Sequence, residues 1–375
     1  FCASAPGKIL WLGGYSVLEK GNVSLVSAID KRVFAKAEKL QGGAVEFLLP
    51  QFKVKAVGRI TGGKLILDGA ESFEKAKFVI EAAKACVRYL GPNTSGFRLT
   101  TVSDKAFGSG KKKTGLGSSA AVTVAAVSAI LGLNGYNLTD EKAKILINNL
   151  SQYAHSISQG KVGSGFDVAS AVFGTIKYSR YSPKILDGAS SNGDFYFKTL
   201  IQKNWDYSIA PISLPKKFIP IIASTNSPIS TTEMVKKINQ YKETDGLYFE
   251  TIEKLNSANA LAIQNIDNQE KFLKYFEDGR RLTKMLGELS GAEIENPKFS
   301  NLISKSNSNG AYVCKLPGAG GGDSIAAICL TDANWQKLLN FWKKERLDVL
   351  DVGFGKFGVK RESTLAFNFA YKTNA

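Results

Sequence analysis

The sequence predicts an α+β protein of two domains. Its 375 residues exceed one typical domain of about 150 residues and allow a large buried core. Strand-like and helix-like segments are mixed without the regular alternation of a doubly wound sheet. The pattern changes where Pro211, Pro215 and Pro220 interrupt a strand-like segment, so we expect the domains at 1–210 and 211–375.

The first domain is predicted to begin with strands. Residues 23–38 and 44–57 alternate loosely and are rich in β-branched and aromatic side chains, which is typical of strands. Residues 72–90 carry apolar side chains at three- and four-residue steps, which predicts an amphipathic helix ended by a Gly-Pro pair. A further strand is expected at 97–102.

A long uncharged segment follows. Its apolar part, 120–133, is shorter than the roughly 20 residues that cross a bilayer, so we expect a buried helix and no membrane partner. Thr139 is predicted to cap the next helix.

The second domain is predicted to be helical first and then mixed. Residues 231–289 are rich in lysine and asparagine and predict helix. Strands are expected at 310–316 and 324–330, a helix at 335–344 and a closing strand at 363–370.

The charge favours anionic partners. Lysine and arginine number 49 against 33 acidic residues, which gives +16 at neutral pH. The basic residues are mostly lysines spread along the chain, without the arginine-rich or aromatic-interleaved cluster of nucleic-acid binders. We therefore expect no nucleic-acid partner, although a polyanion-binding protein is the alternative from a different class, and salt-sensitive filter binding would favour it.

The cysteines predict a reducing compartment. Cys2, Cys86, Cys314 and Cys329 lie in apolar segments without metal-type spacing, which indicates buried thiols. No signal peptide is visible at the N-terminus. We expect a cytoplasmic protein.

A glycine-rich run, KTGLGSSAA at 113–121, leads into the helix expected at 120–133. Glycines let the backbone approach a ligand closely, and the N–H groups and dipole of a helix N-terminus favour anions, so the run predicts a phosphate site. Ser118 and Ser119 add hydroxyls for phosphate oxygens or Mg²⁺. The alternative is an ordinary glycine-rich turn capped by serine. The spacing fits neither a Walker A loop nor the dinucleotide fingerprint.

Two more segments raise the case for phosphate chemistry: APGK at 5–8 followed by GGY at 13–15, and LPGAGGGD at 316–323. In this order the three motifs resemble the signature motifs of the GHMP small-molecule kinases. Within that superfamily the chain resembles the phosphomevalonate kinases of fungal type, also through segments at 154–181 and 290–297.

Two positions separate this resemblance from the mevalonate kinases. Gly14 and Tyr15 stand where mevalonate kinases typically carry a Glu-His pair, and Pro317 stands where they usually carry serine. Both favour the phosphomevalonate kinases. Another GHMP kinase, for mevalonate or homoserine, is the alternative, and a catalytically silent homologue is a third.

The resemblance implies a two-domain fold. The N-terminal ATP-binding domain would be similar to ribosomal protein S5 domain 2 and the C-terminal domain would be ferredoxin-like, with ATP and acceptor between them. The implied reaction is ATP- and Mg²⁺-dependent transfer to the phosphate of (R)-5-phosphomevalonate, giving 5-diphosphomevalonate and ADP in the mevalonate pathway of isoprenoid biosynthesis. The partners are then these small molecules, and the chain would act as a monomer or homodimer.

The resemblance implies two catalytic residues, Lys8 and Asp167. Lys8 would lie between donor and acceptor phosphates and neutralise their repulsion, whereas a surface lysine is the alternative. Asp167 would be a general base for an alcohol acceptor. A phosphate acceptor, whose second pKa is about 6, is already mostly ionised at neutral pH, so we expect Asp167 mainly to orient Lys8 and, secondarily, the metal.

The remaining site residues are also implied by the resemblance. ATP would contact the stretch after the 97–102 strand and the glycine-rich loop: Ser103, Asp104, Phe107, Lys113, Gly115, Leu116, Gly117, Ser118, Ser119 and Ala120. The acceptor would contact residues of all three motifs and two intervening segments: Lys8, Gly14, Tyr15, Lys161, Ser164, Ser230, Thr231, Gly318, Ala319 and Gly320.

Blander interpretations accompany some of these residues. The alternative for residues 103–107 is an exposed loop. The alternative for Ser230 and Thr231 is a helix cap, and the alternative for residues 318–322 is a tight hairpin.

Ser119 is the expected Mg²⁺ ligand, and Ser156 stands where mevalonate kinases add a glutamate. His155 is the only histidine, and without a visible acid or serine partner we expect it to pack or hydrogen-bond near the site.

Overall fold

The computed structural model describes most of the chain. The described residues are 1–69, 73–108, 114–160, 163–191, 193–225, 231–244 and 246–374, with the backbone alone at 73, 188–191 and 231–232. All statements below concern these residues.

The described residues form strands and helices throughout. The strands are β1 (Cys2–Leu12), β2 (Ser24–Lys39), β3 (Ala44–Leu49), β4 (Val54–Thr61), β5 (Lys64–Leu67), β6 (Phe97–Ser103), β7 (Ile176–Ser179), β8 (Ser208–Pro211), β9 (Ile219–Ser224), β10 (Val313–Lys315), β11 (Ser324–Cys329), β12 (Asp348–Leu350) and β13 (Lys360–Glu362). The helices are α1 (Lys77–Leu90), α2 (Ser118–Leu133), α3 (Glu141–Gln159), α4 (Phe166–Phe173), α5 (Lys184–Ser191), α6 (Asp194–Gln202), α7 (Thr231–Thr244), α8 (Leu247–Gln264), α9 (Gln269–Ser290), α10 (Pro297–Ser308), α11 (Asp332–Lys344) and α12 (Thr364–Asn374). Short 3₁₀ turns lie at Gly14–Leu18, Pro50–Phe52, Phe73–Lys75 and Lys105–Phe107.

The first sheet runs β13-β1-β2-β6-β3-β4-β5, with β7 pairing β2 and β8 pairing β7. Only β3 and β6 pair in parallel among these described strands. The pairing of β1 with β2 shifts register between Pro6 and Lys8, which indicates a bulge at Gly7. Gly7 packs so closely that a Cβ there would lie 2.6 Å from the Leu116 carbonyl oxygen.

The helix α2 is apolar on all sides because it is buried on all sides. It packs against β1 and β2 and is flanked by α1, α3 and α4, so that these helices cover one face of the first sheet. The prediction of a buried helix at 120–133 is confirmed. No helix among the described residues has the length and apolar character needed to span a bilayer.

The second sheet is antiparallel and runs β10-β11-β9-β12. Its core includes Ile221, Ile325, Leu338 and Trp342, with α10 and α11 packed against it. The helices α7, α8 and α9 pack on one another, and α8 and α9 contact the 3₁₀ turn that follows β1.

The chain returns to the first sheet at its C-terminal end. The strand β13 pairs with β1, and α12 packs against β2 and β6. The closing strand predicted at 363–370 is therefore wrong. The alternation of Leu365, Phe367 and Phe369 favours a strand, but only Phe367 of these three is buried. The other buried residue of α12 is Ala370, three positions later, which is the spacing of a helix.

Most other expectations of the fold are confirmed, with differences at element ends. The α+β class is confirmed, and the helix expected at 72–90 begins as α1 at Lys77. Thr139 is not the cap of α3, because the Asp140 carboxylate accepts the Lys142 N–H at 3.2 Å. The helical segment 231–289 is divided into α7, α8 and α9. The domain boundary expected between residues 210 and 211 falls at the end of β8 and stays a prediction. The expected boundary did not include the return of the C-terminal segment, β13 and α12, to the first sheet.

Candidate active site

Lys8 connects the first motif to the glycine-rich loop. It lies directly after the bulge in β1, where its backbone N–H donates to the Leu116 carbonyl at 2.9 Å. Its ammonium donates to the Gly115 carbonyl, also at 2.9 Å, and lies 5.4 Å from the centre of the Phe166 ring. Burial lowers the pKa of Lys8, and the Asp167 carboxylate opposes that shift. A buried cation thus stands beside an acid at the loop.

The glycine-rich loop shapes the N-terminus of α2. Gly115 and Gly117 have φ of +69° and +79°, which glycine adopts without strain. Gly117 is the N-cap and has no side chain to accept the N–H groups of the first turn. A Cβ on Gly117 would lie 3.0 Å from the Lys8 side chain. The N–H groups of α2 and the Lys8 ammonium therefore meet at one place, as an anion site requires.

His155 connects Ser119 to Asp167. Its Nε2 atom lies 3.1 Å from the Ser119 hydroxyl and 3.8 Å from Oδ2 of Asp167. Its buried ring also packs on Phe78, with ring centres 5.3 Å apart. Burial lowers the pKa of His155; Asp167 opposes this shift and Lys8 adds to it. The expectation that His155 hydrogen-bonds near these residues agrees with this geometry.

The loop before Asp167 is held by two buried side chains. The Gln152 amide donates to the Gly165 carbonyl at 2.8 Å, and the Tyr178 hydroxyl donates to the Ser164 carbonyl at 2.8 Å. Gly165 caps α4 at φ +81°, where a Cβ would lie 2.3 Å from Gln152. Asp167 thus starts α4 from a fixed backbone, and its Oδ1 accepts the Val168 N–H at 2.9 Å.

The third motif reaches both other motifs. The Tyr15 hydroxyl donates to the Ala319 carbonyl at 2.9 Å, and burial raises the pKa of Tyr15. At the other end of the motif, the Ser324 hydroxyl lies 3.2 Å from the position that a Cβ of Gly115 would take. A Cβ on Gly320 would lie 2.6 Å from Ile294, so only glycine fits there. The three sequence motifs are contiguous in the structure.

The residues near Ser119 fit a magnesium ion. The Ser119 hydroxyl and the Asp167 carboxylate both approach His155, and they offer the hard oxygen donors that Mg²⁺ prefers. The described residues contain no group of three or more His, Cys, Asp or Glu side chains arranged to hold a metal ion. A site with few protein ligands suits Mg²⁺, which keeps several waters and binds substrate phosphates.

The other predicted residues lie in several places. Phe107 is buried, with a ring atom 2.6 Å from where a Cβ of Gly7 would be. The Gln51 side-chain amide donates to the Ser103 carbonyl and accepts the Ser103 N–H, and Asp104 caps the 3₁₀ turn after β6. Three predicted site residues lie outside the described residues: Lys113, Lys161 and Ser230. The side chain of Thr231 also lies outside them.

Sequence reasoning missed several supports of the site. Gln152 lies three residues before His155 on α3, so helical spacing could have placed it on the same face. Tyr178, Phe166 and Ser324 had no such signal, because their contacts join segments that are distant in the sequence.

Comparisons with known proteins identify the family. The family model "GHMP kinases N terminal domain" matches residues 77–175, and "GHMP kinases C terminal" matches 262–348. The phosphomevalonate kinase of Saccharolobus solfataricus is 30% identical over 93% of this chain and 95% of its own length. The peroxisomal phosphomevalonate kinase of Arabidopsis thaliana is 26% identical over 96% of each chain.

A solved structure extends the likeness to the fold. The Streptococcus pneumoniae phosphomevalonate kinase, in complex with phosphomevalonate and AMPPNP, aligns with a TM-score of 0.76. The alignment covers 95% of this chain and 100% of that chain at 20% identity.

Proposed function

This chain belongs to the GHMP kinase family, and we propose that it transfers the γ-phosphoryl group of ATP to the phosphate of (R)-5-phosphomevalonate, giving 5-diphosphomevalonate and ADP. The two-domain GHMP kinase fold implied by the motifs is confirmed. The observation that carries the proposal is the contiguity of the three motifs around the buried ammonium of Lys8.

ATP binds at the N-terminus of α2 in this proposal. The N–H groups of the first turn of α2, after Gly117, donate to phosphate oxygens, and the Lys8 ammonium adds a positive charge beside them. The third motif is held to Tyr15 through the Ala319 carbonyl and to Ile294 through the Gly321 N–H, and its other backbone amides surround the phosphoryl group in transfer. The roles expected of Ser103, Asp104 and Phe107 at the adenine stay predictions.

The transfer step needs little proton chemistry. An ionised oxygen of the acceptor phosphate attacks the γ-phosphorus, the bond from that phosphorus to the β–γ bridging oxygen breaks, and ADP leaves with the electron pair. Lys8 neutralises the charge that both phosphates bring together. Asp167 orients Lys8 rather than receiving a proton, because the acceptor is already ionised at neutral pH.

The proposed metal is Mg²⁺, held by Ser119 and by Asp167 beside His155. When bound, it would neutralise phosphate charge and align the oxygens of ATP. His155 would keep the Ser119 hydroxyl in position.

The acceptor side rests on Gly14, Tyr15, Ser164 and the third motif. Tyr15 is buried, with its hydroxyl bound to Ala319, so it supports the shape of the acceptor pocket through that loop. A cytoplasmic location is also a prediction; one relative, from Arabidopsis thaliana, is named as peroxisomal.

The test is ADP release from ATP and Mg²⁺ with phosphomevalonate, mevalonate and homoserine offered separately. We expect release with phosphomevalonate alone and its loss in Lys8→Met, while Lys344→Met, an exposed lysine of α11, keeps full activity. Release with mevalonate alone would retain the kinase assignment and reject the proposed acceptor. The absence of ADP release with all three acceptors would reject both the kinase activity and the proposed acceptor.

A further inference from the structure

A cleft lies between the end of β1 and the start of the third motif. The space in it that a water-sized molecule can occupy is about 30 Å³, and the cleft opens to solvent at its mouth. Its walls come from residues 11–14, at the end of β1 and just after it, from one face of α9 and from Lys315 at the end of β10. Three cationic side chains, Arg280, Lys284 and Lys315, face one carboxylate, Glu295, across it.

The charges in the cleft do not cancel. Both oxygens of Glu295 accept from Arg280, at 2.6 and 3.0 Å, and one also accepts from Ser300. The Glu277 carboxylate accepts from Arg280 as well, at 2.9 Å. Arg280 is therefore compensated, and Glu295 has little capacity left for a second cation.

Lys315 has an incomplete set of partners. Its ammonium carries three N–H donors and donates to the Trp11 carbonyl at 3.1 Å. No carboxylate lies within 4 Å of it among the described residues. Burial lowers the pKa of Lys315 to about 8, with Arg280 adding to the shift and Glu295 opposing it. A desolvated cation with spare donors is costly unless an anion joins it.

We propose that this cleft binds a small anionic group, a phosphate or a carboxylate, between the ammonium groups of Lys315 and Lys284. Lys315 supplies the contact inside the cleft, and Lys284, whose side chain is 36% exposed and lies 3.9 Å from the Glu288 carboxylate, supplies the contact at the mouth. The cleft shares Gly14 with the proposed acceptor side, but Lys315 and Lys284 have no part in the proposed phosphoryl transfer, so the inference adds a second anion position to the proposed function.

The position of the cleft gives the anion a consequence. Trp11 belongs to the strand that ends in the first motif, and Lys315 is the last residue of the strand before the third motif. An anion held by Lys315 strengthens the contact of these two strands, which already share the bond from Lys315 to Trp11. Occupancy of the cleft would therefore hold the first and third motifs in register.

Inorganic phosphate tests the proposal by isothermal titration at fixed ionic strength. The background is the full chain with Lys8→Met, which weakens phosphate binding at the α2 N-terminus. We expect a phosphate Kd of about 1 mM or tighter in that background. Adding Lys315→Met should weaken it at least tenfold and adding Lys284→Met about threefold, whereas Lys344→Met should leave it unchanged.

Two results would overturn the proposal: no phosphate binding in the Lys8→Met background, or binding that Lys315→Met and Lys284→Met both leave intact. If Lys315→Met does not fold, Lys315→Arg should retain phosphate binding. The test then rests on Lys284→Met, which should weaken that binding. Competition by phosphomevalonate then identifies the source of the anion. Displacement assigns the cleft to a charged group of the acceptor, and no displacement assigns it to a free anion; both keep the site.

Discussion

Asp167 lies beside a buried lysine and a buried histidine, and the chemistry of the acceptor decides what its carboxylate does. An alcohol would need a base, whereas a phosphate brings its own ionised oxygen. The same residue can thus remain essential for alignment and be nearly superfluous for proton transfer.

Asp167→Asn separates these two roles. The variant loses the charge that orients Lys8, so we expect kcat to fall by about 10²–10³-fold. The shape of the pH profile should not change, because Asp167 receives no proton in the proposed reaction. Initial rates with phosphomevalonate between pH 5 and 9 measure both quantities. Loss of an ionisation from the acid limb would show that Asp167 acts as a base.

His155 gives a second prediction at this scale. His155→Ala removes the group 3.1 Å from the Ser119 hydroxyl, so we expect kcat to fall about tenfold, the equivalent of roughly 1.4 kcal/mol. His155→Gln keeps a polar group that can reach Ser119 and should recover most of that loss. The Mg²⁺ concentration for half-maximal rate should rise in the alanine variant and return in the glutamine variant. Equal losses in both variants would indicate that the ring acts only by packing on Phe78.

At the scale of elements, the N-terminus of α2 depends on glycine geometry. Gly117→Ala places a Cβ at φ +79° and 3.0 Å from Lys8, so we expect a loss of about 1–2 kcal/mol in the free energy of unfolding. The KM for ATP should rise about tenfold, because the new methyl group displaces Lys8.

Gly135→Ala is the matched control, since Gly135 has φ +90° with nothing within 4 Å of a Cβ. It should cost similar stability in urea unfolding and leave the KM unchanged. A raised KM in both variants would mean that the effect comes from general loosening of the fold.

Elements with a clear period of apolar residues or a long apolar run could be predicted from the sequence, whereas elements that depend on contacts with distant segments could not. The amphipathic α1 follows from its apolar spacing, and α2, which is apolar on all sides, follows from its long uncharged run. α12 does not, because Leu365 and Phe369 are 81% and 71% exposed, and apolar residues that remain in solvent disturb the period. The short β12 and β13 have three residues each, too few to show any period.

The site shows the same division. The motifs located Lys8, Gly115, Ser119 and Asp167, because phosphate chemistry restricts their residue types. Their supports are set by distant segments: the Tyr178 hydroxyl holds the Ser164 carbonyl, and nothing in the sequence near Tyr178 indicates that contact.

At the scale of the whole molecule, Tyr15 connects the first and third motifs. Tyr15→Phe removes the bond to the Ala319 carbonyl, and we expect about 1 kcal/mol less stability and a kcat/KM for phosphomevalonate lowered about fivefold. Tyr371→Phe, in the exposed part of α12, is the control and should change neither quantity. Unchanged kcat/KM in Tyr15→Phe would show that the loop keeps its position without this bond.

The return of the C-terminal segment to the first sheet depends on Arg32. Its guanidinium donates to the carbonyls of Ser4, Phe357 and Gly358 at 2.9, 3.2 and 2.7 Å, and so ties β2 to β1 and to the segment before β13. Arg32→Met leaves these carbonyls without that donor. The bonds to Ser4 and Gly358 are partly buried and the bond to Phe357 is exposed, so the loss falls mainly on two carbonyls. Each buried carbonyl left unpaired costs about 1–3 kcal/mol.

We therefore expect Arg32→Met to lower the free energy of unfolding by roughly 2–4 kcal/mol in urea titrations followed by circular dichroism. Lys31→Met is a stringent control, because the neighbouring Lys31 also reaches the returning segment, through Asp351 at 3.0 Å, but the Asp351 side chain is fully exposed. An exposed ion pair contributes about 1 kcal/mol or less, so Lys31→Met should change stability little. If both variants lose the same small amount, the return is held by the pairing of β13 with β1 and the packing of α12, and the guanidinium contributes no more than a surface charge.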